Sequence, residues 1–226
     1  TTICVAGDST LLTVTNPPPA TPGLVQIGTG VTTGSGQPNP YYTTWWGNKN
    51  QYLILASELT SAGLVAGNIT NMGLNLGSVT TTLDLTNFTI SMGNTALTAM
   101  TAAFETGLTQ VYTTPSYSVI ANANSITSHA LTPFYWNGSS NIIVETCFNN
   151  SGWNGSQTIA YTTTAFTSAV YYNADIATVC SAPGAPTTSS NRPNFYFNAL
   201  TGTPVVYTWN PGGATGASVY VTPTAS

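Results

Sequence analysis

Short β-rich segments, each closed off by glycine, asparagine or proline, run through most of this chain. They are Leu24 to Ile27, Tyr52 to Ala56, Ile69 to Leu76, Phe88 to Met92, Ser118 to Ala121, Ile142 to Phe148, Thr158 to Thr163, Val170 to Asn173 and Asn194 to Phe197. Branched and aromatic side chains pack well on a pleated surface and lose rotamer freedom in a helix. About nine such segments with turn residues between them predict an all-β fold, two sheets face to face in a sandwich or jelly roll. Two stretches depart from the pattern. Ala56 to Ala62 and Ala96 to Leu108 have weak helical signals; in the second, Leu97, Met100, Phe104 and Leu108 recur at near-helical spacing and Gly107 is a residue that could stop a helix. A short surface helix is expected there.

The two ends carry a different pattern. Ile3 to Val14 runs from a Gly7-Asp8 turn into alternating Leu/Val and Thr, while Val205 to Pro211 and Ala217 to Thr222 flank a Gly212-Gly213 turn. Neither piece buries a core alone, since an isolated hairpin is marginal in water. They read as the two parts of one incomplete immunoglobulin-like β-domain, residues 1–16 and 201–226, into which a jelly-roll-like sandwich of residues 17–200 is inserted. The Pro17-Pro18-Pro19 run with Pro22 is the stiff linker at the first boundary. Four strands or so fall short of the roughly seven in such a domain, and open sheet edges invite strand addition. Neighbouring copies or repeats of the same protein are therefore the expected partners, with the end domain completed by the next unit.

Charge is almost absent. The 226 residues include 2 Lys or Arg and 6 Asp or Glu, 4% charged where a soluble domain has about 25%. Solubility must come from hydroxyls and amides, and 42% apolar residues supply a core. A net charge of −4 with two cations forms no basic patch, which argues against nucleic acid and anionic membrane surfaces. No apolar run approaches the roughly 18 residues of a membrane span. Richness in Thr, Ser, Asn and Gly with almost no Lys points to an extracellular β-protein. Of the three cysteines, Cys147 and Cys180 follow strand regions and are expected to form a disulfide, with Cys4 left over. The alternative is three reduced thiols in a reducing compartment.

Residues for catalysis are sparse. The single histidine, His129, has no nucleophile elbow to serve, and Asp8, Glu58, Asp84, Glu105, Glu145 and Asp175 are scattered along the chain. No catalytic residue and no cofactor is expected. A structural calcium held by one Asp and backbone carbonyls stays open, whereas zinc has no ligand spacing to use. Arg192, the only arginine, is expected to partner a carboxylate, with Glu145 on its apolar strand as the natural choice. The one binding signal is aromatic. Tyr41 to Asn50 concentrates four rings beside amides, so Tyr42, Trp45, Trp46 and Asn48 are candidate glycan-binding residues. The bland alternative is core packing, and in a strand only one of Trp45 and Trp46 could face the core. Asp8-Ser9-Thr10 further marks Ser9 as a candidate O-glycosylation site.

As an ordered series, several segments resemble a repeat module of Bacteroidota surface proteins. They are Tyr52 to Leu59 with Ala62 to Ile69, Phe104 to Tyr112, Thr132 to Glu145, Tyr171 to Asp175 and Asn191 to Asn194. The resemblance covers most of residues 24–198. Such modules stand among immunoglobulin-like repeats in very long proteins exported by type IX secretion, adhesins of gliding and attachment included. The resemblance implies a non-enzymatic structural and adhesive module of a surface protein or filament, and it transfers no binding residue. A carbohydrate-binding jelly-roll module of a secreted multidomain enzyme is the competing expectation.

Overall fold

The computed structural model describes residues 10–13, 20–36, 38–79, 84–119, 125–153, 155, 157–202, 208–209, 214–215 and 218–221. Its body is a sandwich of two antiparallel sheets, the all-β class that the strand pattern predicts. One sheet runs β13 (Thr187–Ser189), β12 (Ala169–Ala174), β4 (Gly47–Ile54), β10 (Asn141–Asn149), β6 (Leu85–Thr95), β7 (Thr109–Tyr117). The other runs β14 (Asn191–Pro193), β11 (Gln157–Thr163), β5 (Gly67–Val79), β15 (Phe195–Thr201), β2 (Thr21–Ile27). In that second sheet β3 (Thr32–Gly34) pairs with β11, while β8 (Ser125–Ile126) and β9 (His129–Trp136) pair with β5. Of the terminal strands, β1 (Thr10–Thr13) pairs with β18 (Ser218–Val221), which joins the two ends of the chain, and β16 (Thr208–Trp209) pairs with β17 (Ala214–Thr215).

Alternation builds the core. Along β15 the side chains of Phe195, Phe197 and Ala199 are buried between the sheets while Asn198 is exposed, the period-two pattern of a half-buried strand. Tyr52 of β4 meets Phe195 edge-on across the sandwich, with ring centroids 5.4 Å apart. Alternation fails in β4 and β10, which are buried on both faces. The cause is the segment 96–108. No helix forms there; the chain lies as an irregular strap over the outer face of the first sheet. Met100, with Leu97, Phe104 and Leu108, packs against Leu53, Ile143 and Val170. The backbone of the strap bonds to its surroundings rather than to itself: the side-chain amide of Gln51 in β4 donates to Glu105 O and accepts from Glu105 N, both at 2.8 Å, and Met100 N donates to Thr167 O, just before β12, at 2.7 Å. The apolar spacing that suggests a helix is thus spent on covering a sheet.

The weaker helical signal, over Ala56 to Ala62, is the one that becomes a helix, α1 (Ala56–Ser61). It ends in a Schellman motif: Leu64 N donates to Leu59 O and Gly63 N to Thr60 O, with Gly63 at φ 92°. Among the described residues no helix is long and apolar enough to cross a membrane. Ser118 and Val119 lie outside any strand, and the rest of the segment expected there falls outside the described residues.

Arg192 does find a carboxylate, but it is Glu58 and not Glu145. The guanidinium is fully buried and grips Glu58 through two bonds of 2.8 and 2.6 Å, while Nη1 also donates to Leu53 O at 2.7 Å. Glu145 instead pairs with Lys49 at 3.2 Å. Burial raises the Glu58 carboxyl, yet the bonds and charge of Arg192 outweigh it and hold the group below its usual value. Removing one partner of a buried pair leaves the other charge uncompensated, at a cost of about 3–5 kcal/mol. Glu58→Ala is therefore expected to lower the unfolding free energy by about that much in urea titrations; a loss below about 1 kcal/mol would show that the pair does not hold the sheets together.

Candidate functional site: an aromatic loop end

One end of the sandwich is built from three connections, and buried amides fix the first of them, residues 38–46. Asn39 accepts from Tyr41 N at 2.9 Å and donates to Gln157 O at 2.8 Å, while its carbonyl takes the Asn48 amide at 2.7 Å. Gln157 in turn donates to Thr43 Oγ1 at 2.9 Å. All four side chains are buried. Buried polar groups fully engaged in this way rigidify a loop that the backbone alone would leave free.

The second connection follows β10 and the third follows β12. Asn150 N donates to Trp46 O at 2.6 Å, Thr44 Oγ1 donates to Gly155 O at 3.1 Å, and Trp46 N donates to Asp175 Oδ1 at 3.3 Å. The third connection is also tied down covalently: Cys147 and Cys180 form the expected disulfide, with Cα atoms 5.8 Å apart. Cys180 lies in a turn beyond the end of β12 and not on a strand. Buried Val179 packs on Gly47, where a Cβ would come within 2.5 Å of it.

On this pinned base Trp45, Trp153 and Ile176 remain 37, 67 and 42% exposed. Of the four residues singled out from the sequence, Trp45 is displayed, whereas Tyr42 and Trp46 are half-buried. Asn48 drops out: it is fully buried with its amide committed to Asn39. The two tryptophans lie in a turn before β4, so strand alternation does not govern them. Trp153 and Asp175 escape sequence reasoning. A lone tryptophan among Gly, Ser and Asn has no periodicity, and only the structure reveals its exposure. Ser9 and Cys4 lie outside the described residues.

His129 is part of the interior. It is fully buried in a cage of Tyr41, Phe88, Tyr112 and Tyr117, with ring centroids 4.6–6.3 Å away. Its Nε2 lies 2.8 Å from the Tyr41 hydroxyl, which is 3.0 Å from Thr127 Oγ1; that oxygen accepts from Leu74 N. Burial lowers the imidazole to about 4 and holds the Tyr41 phenol well above its usual value. At neutral pH the cage therefore encloses an uncharged imidazole and an uncharged phenol. Among the described residues no three of His, Cys, Asp and Glu come together to hold a metal. Comparison with family models, curated proteins and solved structures finds no match for the chain.

Because the unfolded chain takes up the His129 proton near pH 6.5 and the folded one only near 4, the stability this burial contributes is complete above 6.5. It is lost as pH falls toward 4, by about 3 kcal/mol. Urea midpoints measured from pH 7 to 4.5 should show this slope, and His129→Gln should flatten it; an unchanged slope would assign it to other groups. Separately, the disulfide closes a separation of 33 residues, for which chain entropy gives about 3–4 kcal/mol. The Cys147→Ala/Cys180→Ala protein should lose stability on that scale by chemical denaturation, and no loss would rule out the bond as a staple.

Proposed function

We propose that this chain is a non-enzymatic structural and adhesive module of an extracellular surface protein, with the aromatic loop end as its working surface. One observation carries the reading: Trp45 and Trp153 are held open to solvent at a loop end where buried amides secure residues 38–46, the Thr44–Gly155 hydrogen bond ties in the Trp153 connection, and a disulfide anchors the connection after β12. Loops positioned on a sandwich scaffold are where binding residues concentrate, and covering an exposed indole with a partner is favourable. The disulfide supports an oxidising compartment. The resemblance of residues 24–198 to Bacteroidota adhesin modules supports the same setting and suggests neighbouring repeats as partners. The fate of the reactive side chains supports the absence of catalysis: His129 is sealed in the core, and Glu58 and Glu145 are held in ion pairs. The same exposed tryptophans favour, as a second reading, a carbohydrate-binding module carried by a secreted enzyme.

Beads coated with the purified chain are expected to attach to surfaces bearing bacterial envelopes or mucin more than to bare polystyrene. The Trp45→Ala/Trp153→Ala protein, with an unchanged melting curve, is expected to attach at background level. Attachment that ignores both substitutions, or turnover by the chain itself on ester, peptide or glycosidic substrates, would refute the reading.

A further inference from the structure

We infer that the loop end takes a neutral carbohydrate chain, with Trp45 and Trp153 as ring platforms and Asp175 as acceptor for sugar hydroxyls. The inference rests on the adhesive reading for the location of the working surface, and it adds the chemistry of the ligand.

Charge narrows the choice first. The chain has two Lys or Arg residues, Lys49 and Arg192. Arg192 is fully buried on Glu58, and Lys49 is held by Glu145 beneath the ring of Phe104, 5.2 Å from its centroid. His129 is enclosed. No cation is left to meet a sulfate, phosphate or uronate, while Asp175 would repel one.

Size narrows it next. A stable protein partner buries about 800 Å² on each side around an apolar centre. Here single apolar side chains stand on separate loops among Thr, Ser, Asn and Gly, which suits a narrow ligand better than a broad one. A sugar ring offers an apolar C–H face for an indole and hydroxyls around its edge. The hydrogen bond from Thr44 to Gly155 keeps the Trp45 and Trp153 loops in register with each other. Asp175 is oriented by the Trp46 amide through one oxygen, and a carboxylate accepts up to about four hydrogen bonds. Because buried amides already hold residues 38–46 in place, little conformational freedom of the Trp45 platform is lost on binding.

Affinity electrophoresis of the full chain through gels containing neutral β-glucan, mannan, galactan or xylan tests this, with alginate and heparin as anionic comparisons. At least one neutral polysaccharide is expected to retard the protein and shift its tryptophan fluorescence to the blue. Trp153→Ala and Trp45→Ala should each weaken retardation by about tenfold or more, Asp175→Asn by several fold. Tyr135→Ala, which removes a 60% exposed ring from the second sheet, should leave it unchanged. The inference is overturned by no retardation on any neutral gel, by retardation that survives both tryptophan substitutions, or by preference for an anionic polymer. If beads still attach through the tryptophans while no neutral glycan retards the chain, the carbohydrate assignment fails and the adhesive reading stands. If bead attachment ignores the tryptophans, the adhesive reading fails by itself.

Discussion

The guanidinium of Arg192 ties together three parts of the molecule that are far apart in sequence. It belongs to β14 in one sheet, donates to the carbonyl of Leu53 in β4 of the other, and grips Glu58 on the helix that follows β4. A planar group with several donors in fixed directions suits this position, where a lysine would supply a single point of charge. Glu58 also accepts from Leu55 N at 2.9 Å, so the same carboxylate secures the start of α1. A nearly uncharged chain thus places its only arginine where it bridges both layers of the sandwich.

The rest of the polar interior works without charge. Asn39, Thr43, Asn48 and Gln157 are bonded to one another or to backbone beneath the loop end, and His129 is linked through Tyr41 and Thr127 to Leu74. Tyr41 belongs to both regions: its backbone is held by Asn39 and its hydroxyl reaches His129. The loop that displays Trp45 is therefore linked, through a few hydrogen bonds, to the aromatic cage in the core. Desolvation is the largest electrostatic effect in that cage, lowering the imidazole and raising the phenol.

The aromatic run at residues 41–46 could be recognised as a candidate surface from sequence, but its internal sorting could not. Tyr41 and Asn48 point into the protein, each held by a hydrogen bond that residue type alone does not specify, while Trp45 between them faces solvent. The strap over residues 96–108 is the opposite case. Its spacing of apolar residues is real, but a helix face and a cover for a sheet make the same demand on sequence. The sheet prevails because Gln51 satisfies the backbone of Glu105 on both sides.

By itself the sequence determined the all-β class, most of the central strands, the helix after β4, the Cys147–Cys180 pair and the need of Arg192 for a carboxylate. These follow from local composition, from period, or from the scarcity of a residue type. Only the tertiary structure decided which carboxylate that would be, which tryptophans stay exposed, and that the lone histidine would be enclosed. Each of those outcomes depends on the register between strands distant in the chain, such as the 134 residues that separate Arg192 from Glu58, and local preference carries no information about that register.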